Sequence, residues 1–281
     1  LGPYFRTQAK INNLSVNFAR NLWQFTSQKL DHGQKLIDAL VETQHLQDQT
    51  IEFFEKTHLL SHTAQLNALT EKQNYLFQKV LGTKTEWLPG SNTQEIFFSQ
   101  FGEDQWIVQN LKLPKHGFFI DVGTADGITF STTYYFEKQG WQGICFEPSP
   151  PQFQQAQLFR QDVRPQAIAA QDGEMELYLS ASSPDWASLL PSDDDTAHIR
   201  VPVKSLATVV KEEKIKNIDV LSIDVEGAET LVLQGFPFAK LSPRIMIVEY
   251  RNKMNDINND IAVFMKSQPY TLVHQTFANY I

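Results

Sequence analysis

The chain has 281 residues, a formal net charge of −8 and 42% hydrophobic residues. That length suits one sizeable domain with an appendage, and the apolar content excludes wholesale disorder. The acidic balance disfavours a general affinity for nucleic acid, which needs excess Lys and Arg, and no apolar run reaches the roughly 18 residues that span a bilayer.

Residues 5 to 88 contain no proline and only two glycines, Gly33 and Gly82. Apolar residues recur there in helical steps: Ile11, Leu14, Phe18, Leu22 and Phe25, then Leu66, Leu69, Leu76 and Val80. The steps of three and four predict two or three amphipathic helices. The pattern breaks at Asp31-His32-Gly33, so one long coiled coil is not expected. A stripe of this kind must be buried against something, and self-association through these helices is the expected use. His58 and His62 share a helical spacing but lack a carboxylate signature, so no metal site is expected of them. Leu88-Pro89-Gly90-Ser91-Asn92 reads as a linker, which divides the chain into a helical region at 1–90 and a second domain at 91–281.

Beyond the linker, short apolar runs alternate with helical segments. The runs are Phe118–Val122, Gly143–Glu147, Ala167–Ala170, Val220–Asp224 and Ile245–Tyr250, and helices are expected at 129–139, 151–161, 205–214, 226–234 and 256–267. This alternation predicts an α/β fold with a mostly parallel sheet and helices on both faces. Glu174–Ser180, Tyr270–His274 and Ala278–Ile281 read as additional strands. The single cysteine, Cys145, lies in an apolar run and reads as a small buried hydrophobe. One cysteine and no visible leader fit a reducing, cytoplasmic setting, although the chain begins at Leu1 and an upstream segment stays open.

Three stretches carry chemistry. In Phe118 to Gly127 an apolar strand enters a turn with Gly123 and Gly127, which allow close backbone approach to a ligand. The spacing Gly-x-x-x-Gly departs from the dinucleotide fingerprint Gly-x-Gly-x-x-Gly. Glu147 follows Gly127 by 20 residues at the end of the next apolar run, where Pro148 stops the strand. A carboxylate there can accept hydrogen bonds from both ribose hydroxyls of a nucleoside. In Val220 to Glu229 a strand ends in Asp224 and Glu226, then Gly227, then a helix that Glu226 and Glu229 can also favour electrostatically.

These stretches, with Ser99-Gln100-Phe101-Gly102-Glu103-Asp104, Gly140 to Pro148, Ser222 to Gly235 and Ile247-Val248-Glu249, resemble the FkbM family of methyltransferases in order and spacing. Departures are Thr124-Ala125 where the family commonly has Ala-Asn, and Ser131-Thr132-Thr133 where it often has Ser-Asn-Thr. The resemblance implies a class I methyltransferase fold with a Rossmann-like, mostly parallel seven-stranded sheet. It implies S-adenosyl-L-methionine as cofactor and O-methylation of a hydroxyl on a sugar, glycan or related product. On that basis Asp121, Gly123, Thr124 and Gly127 would shape the methionine end of the site. Glu147 and Pro148 would meet the ribose, Ala170 and Asp172 the adenine, and Gln100 and Asp104 would close the pocket. Asp224 would face both cofactor and acceptor. Asp224, Glu226 and His198 are the candidate general bases. No metal ligands are assigned, although a divalent cation held by Asp224, Glu249 and another oxygen is an option. Two rival readings are an NAD(P)-dependent oxidoreductase and a non-catalytic helical assembly protein.

Overall fold

The computed structural model describes residues 56–72, 75, 95–180, 187–191, 195–251 and 257–281. The apolar series at Ile11–Phe25, Leu76 and Val80 and the linker at 88–92 lie outside the described residues. From Thr57 onward the described residues form one compact unit. No helix among them is long and apolar enough to cross a membrane.

Helix α1 (57–72) precedes an α/β body. In chain order the body contains α2 (Glu103–Asn110), β1 (Phe118–Val122), α3 (Tyr134–Lys138), β2 (Gln142–Phe146), α4 (Pro150–Ala156), β3 (Val163–Arg164), β4 (Ala167–Ile168), β5 (Gly173–Ser180), β6 (Ala187–Ser188) and β7 (Asp195–Lys204). It continues through α5 (Leu206–Glu212), β8 (Val220–Ile223), α6 (Glu229–Gln234), β9 (Ile245–Glu249), α7 (Asn259–Met265) and β10 (Asn279–Tyr280).

The main sheet has six strands in the order β10-β9-β8-β1-β2-β3. All neighbours pair in parallel except β10, which runs antiparallel to β9. Its central strands are buried on both faces, which explains their nearly unbroken apolar runs. Alternate residues feed two cores. Ile120, Val122, Ile144, Leu221, Ile223, Met246 and Val248 pack with Leu206 of α5, Val232 of α6 and Ile261 of α7. Phe119, Cys145, Val220, Ile245 and Ile247 pack with Ile107 of α2, Tyr134 and Phe136 of α3, Trp141 and Ala68 of α1.

The seven-stranded expectation is corrected. A second, four-stranded sheet, β4-β7-β5-β6, stands beside the first. Ala167–Ile168 pairs with β7 and not with the main sheet, because the long β5–β7 antiparallel ladder supplies it with a partner edge. Strand β7 is absent from the strands expected above. Its inward residues Ile199, Val201 and Val203 alternate with exposed His198, Arg200 and Pro202, a period-two signal masked by the preceding aspartates. The expected strand at Tyr270–His274 is not a strand, and the closing antiparallel strand is β10 alone.

Helix α1 buries Ala64 and Ala68, while Leu66 and Leu69 are exposed. Small side chains on its inner face let it lie against the body, where Asn67 Nδ2 donates to the Phe97 carbonyl at 2.7 Å. The leucine series at 66 and 69 is therefore not the face that packs on this domain.

Helix α6 ends at Gly235, where an added Cβ would stand 2.2 Å from the Ala169 carbonyl oxygen. Gly235→Ala must push two backbones apart and should cost about 1–3 kcal/mol. Thermal unfolding of the variant is expected to begin several degrees below wild type. An unchanged midpoint would mean that the 169–170 segment yields freely.

Candidate active site

Strand order reverses at β1, which lies between β8 and β2, so a crevice opens at the carboxyl ends of these strands. A cavity of about 320 Å³ occupies it. Its walls come from the loop after β1 (Asp121 to Asp126), the turn at Thr129 to Thr132, the end of β2 (Phe146 to Ser149) and Gln166 to Ile168. Leu177, Ala187, Leu189, Ser222, Asp224 to Glu226, Glu249 and Gln100 complete them.

Two glycines make the crevice fit together. Gly123 has φ +84°, and an added Cβ would lie 1.7 Å from the Asp224 carbonyl oxygen, so the β1 and β8 ends touch through backbone. Gly127 has φ +89°, with Ala156 and the Arg160 side chain pressed against it. Ala125, Phe130 and Glu226 also line the cavity with positive φ at 47°, 63° and 55°. Such conformations cost energy in non-glycine residues and cluster where surrounding structure imposes them.

Beneath the loop lies Arg160, which the sequence did not single out. Its side chain has no solvent exposure. The guanidinium pairs with Glu137 at 2.5 Å and with Asp121 at 3.3 Å. It also donates to the Gly127 carbonyl and Ser131 Oγ, both at 3.0 Å, and to Thr133 Oγ1 at 2.7 Å. Asp121 accepts in addition from Thr124 Oγ1 at 3.1 Å and from Thr133 Oγ1. The strand-end carboxylate is thereby neutralised and fixed from below.

Glu147 is buried, and its carboxylate accepts from the Ala125 amide at 2.9 Å and the Ser149 amide at 2.8 Å. It thus ties the glycine loop to the end of β2. Asp126 caps the turn through the Ile128 and Thr129 amides and pairs with Lys72 of α1 at 2.6 Å. These bonds hold its carboxyl below the usual range despite burial. Helix α1 therefore touches the glycine loop directly.

Asp224 lines the cavity from an exposed position at the end of β8. Burial, offset by a hydrogen bond with Glu249, pushes its carboxyl up to about 6. Glu229, buried at the start of α6, accepts from the Val225 and Gly227 amides and is pushed up to about 7, chiefly by burial.

The structure brings Gln100, Asp121, Gly123, Thr124, Glu147, Pro148, Asp224 and Glu226 to the cavity wall. Gly127 supports the loop from behind through its carbonyl bond to Arg160. Asp104 is fully buried and does not line the cavity; it accepts from the Phe98, Ser99 and Gln105 amides and from Ser99 Oγ, fixing the turn that carries Gln100. Ala170 and Asp172 line a separate groove, and Asp172 caps α5 through the Ser205 amide and Thr208 Oγ1. His198 stands exposed on β7 beside Tyr178, away from the cavity wall. Gln166, Ala167 and Ile168 are lining residues that local sequence features did not assign to the site. Glu249, which the sequence offered beside Asp224 as an optional cation ligand and within the Ile247-Val248-Glu249 match, also lines the cavity. No group of three His, Cys, Asp or Glu among the described residues is arranged to hold a metal ion.

Residues 121–272 match the family model described as the methyltransferase FkbM domain, which is more than half of the chain. Among solved structures, the methyltransferase FkbM from Methylobacillus flagellatus KT aligns at 13% identity and a TM-score of 0.40. That alignment covers 62% of this chain and 45% of the other, so this chain spans less than half of that protein's length. A TehB-like SAM-dependent methyltransferase from Corynebacterium glutamicum ATCC 13032 aligns at 11% identity and a TM-score of 0.35, covering 76% and 94%. No match was found among curated protein sequences.

Two stability measurements probe this site. Arg160→Met leaves Asp121 and Glu137 buried without their cation and should cost about 3–5 kcal/mol in urea unfolding. A loss below about 1 kcal/mol would mean that the cluster relaxes into water. Asp104 and Asp224, raised to about 6, and Glu229, raised to about 7, hold protons in the fold that the unfolded chain has released. Their contribution is complete below the ordinary carboxylate range and is lost as pH rises through 6–7. The urea midpoint should therefore be higher at about pH 5.5 than at about pH 7.5, and the reverse order would refute those protonation states.

Proposed function

The chain belongs to the methyltransferase FkbM family, and on that premise we propose that it is an S-adenosylmethionine-dependent O-methyltransferase acting on a hydroxyl of a sugar, glycan or related product. The observation that carries this reading is the charge of the cavity wall. Asp121, Asp126, Glu147, Asp224, Glu226 and Glu249 line it, and no Lys, Arg or His among the described residues does. A sulfonium and an ammonium group suit such a wall. The pyrophosphate of NAD(P) does not, because two phosphates would face carboxylates with no cation on that surface.

The residues present fit the cofactor. Asp121, Gly123 and Thr124 would hold its amino-acid end, Glu147 its ribose, and Gln166 to Ile168 its base. When bound, it supplies a methyl group on a positively charged sulfur. The protein's part is to exclude water and align the acceptor, for which positioning can contribute about 7–11 kcal/mol. Asp224 is the group at the cavity edge that can accept the acceptor's proton. Glu226 stands nearby on its strained turn, and His198 is not among the residues that line the wall.

Calorimetric titration with S-adenosylmethionine and with NAD separates the two cofactor readings. Saturable binding of the first and none of the second is expected. Binding of NAD alone would overturn the proposal. Gly123→Ala should abolish binding, given the 1.7 Å approach to the Asp224 carbonyl. With labelled cofactor and a panel of glycans, Asp224→Asn should lower kcat at least about tenfold while keeping most of the cofactor affinity. Full activity in that variant would remove Asp224 from proton transfer.

A further inference from the structure

Strands β8 and β9 are parallel neighbours, and Ile223 pairs with Val248. The next residue on each, Asp224 and Glu249, therefore emerge together at the carboxyl edge of the sheet, and both line the cavity. Each carboxyl bears on the charge of the other, as close neighbours do. Oε2 of Glu249 is buried without a hydrogen-bond partner; among the described residues the other such side-chain atom is Thr230 Oγ1. A carboxylate oxygen in that position has lost its water and gained nothing in return. A proton on it removes the deficit, because a neutral carboxyl can donate to Asp224.

We infer that Glu249 carries a proton shared with Asp224, and that this pair, with a single negative charge, takes the proton from the acceptor hydroxyl during methyl transfer. The second half of this rests on the functional reading above.

The surroundings favour retention of the proton. Asp121 on β1 and Glu103 at the start of α2 face Asp224, and Glu226 and Glu229 face Glu249. Burial and the Asp224 charge hold Glu249 well above the usual range, whereas Asp224 titrates at about 6. Near neutral pH Asp224 is the ionised member and Glu249 the protonated one, although their titrations belong to the pair. In the reaction, the acceptor oxygen gains a bond to the methyl carbon. That carbon loses its bond to sulfur, and the electron pair stays on sulfur. The hydroxyl proton passes to Asp224 and leaves through the open side of the cavity. Glu249 is a positioning residue in this scheme: its hydrogen bond orients Asp224 and sets its basicity.

Infrared spectra of the full chain without ligand test the pair directly. Wild type should show a protonated-carboxyl band near neutral pH, and Glu249→Gln should lose part of it. An unchanged band overturns the pair. The pH dependence of kcat tests its role. Glu249→Gln keeps a donor to Asp224, so the acid limb should stay in place. Glu249→Leu removes the donor, so the limb should move up by about one pH unit, a tenfold change in proton affinity. A purely structural role would scale kcat equally at every pH, and that result overturns the assignment. A wild-type protein that binds no S-adenosylmethionine and transfers no methyl group overturns the functional reading instead. The infrared band alone then decides the pair.

Discussion

The guanidinium of Arg160 is the contact on which the site depends. It is a fixed positive charge with no solvent exposure, placed where the end of β1, the glycine loop and α3 meet. Taking such a charge out of water costs several kcal/mol, recovered only if carboxylates and hydrogen-bond acceptors saturate it. Here two carboxylates, three hydroxyls and a carbonyl do so, while the rings of Phe119 and Tyr134 lie 5.2 and 5.6 Å from the guanidinium carbon. The planar fork of donors fixes each partner in direction as well as distance. Asp121 can therefore hold its place at the cavity floor without folding outward into water.

Above this floor the chemistry is anionic. The strand ends bring Asp121, Asp224 and Glu249 to the same face of the sheet, since residues two apart share a face and β1, β8 and β9 run in register. Asp121 is neutralised from below, and Asp126 is neutralised by Lys72 from the side. Asp224 and Glu249 have no such cation among the contacts described above. The cavity thus keeps these two carboxyls at the place proposed above for proton transfer. Glu103 extends the same arrangement into the scaffold: it accepts from Thr276 Oγ1 and Asn279 Nδ2, both at 2.8 Å, and joins the segment carrying Gln100 to the last strand.

Helix α1 adds a link from outside the α/β body. Its two alanines allow close approach, and Lys72 reaches the turn at Asp126 and Thr129 at 2.6 and 3.1 Å. Glu71 meets Lys138 at 3.2 Å on α3, although that pair is solvent-exposed and worth little. The helix preceding the family-matched region therefore bears on the loop that shapes the cavity.

Much of this was legible in the chain itself. Strands buried on both faces must be apolar throughout, so β1, β2, β8 and β9 could be placed within a residue or two. Gly123, Glu147 and Asp224 stand at strand ends, where backbone direction alone carries them to one edge. Residues whose roles depend on contacts distant in sequence could not be placed this way. Arg160 meets Asp121 across 39 positions and looks like any surface arginine until the fold surrounds it. Asp104 and Asp172 have the composition of ligand-binding carboxylates, but they spend their lone pairs on backbone amides and hydroxyls. Local pattern determined the parallel sheet, its glycine turn and its acidic strand ends, because those follow from periodicity and chain direction. Tertiary structure alone decided the division into two sheets, the burial of Arg160 and the pairing of Asp224 with Glu249, because each depends on which strand edges and charges meet once water is excluded.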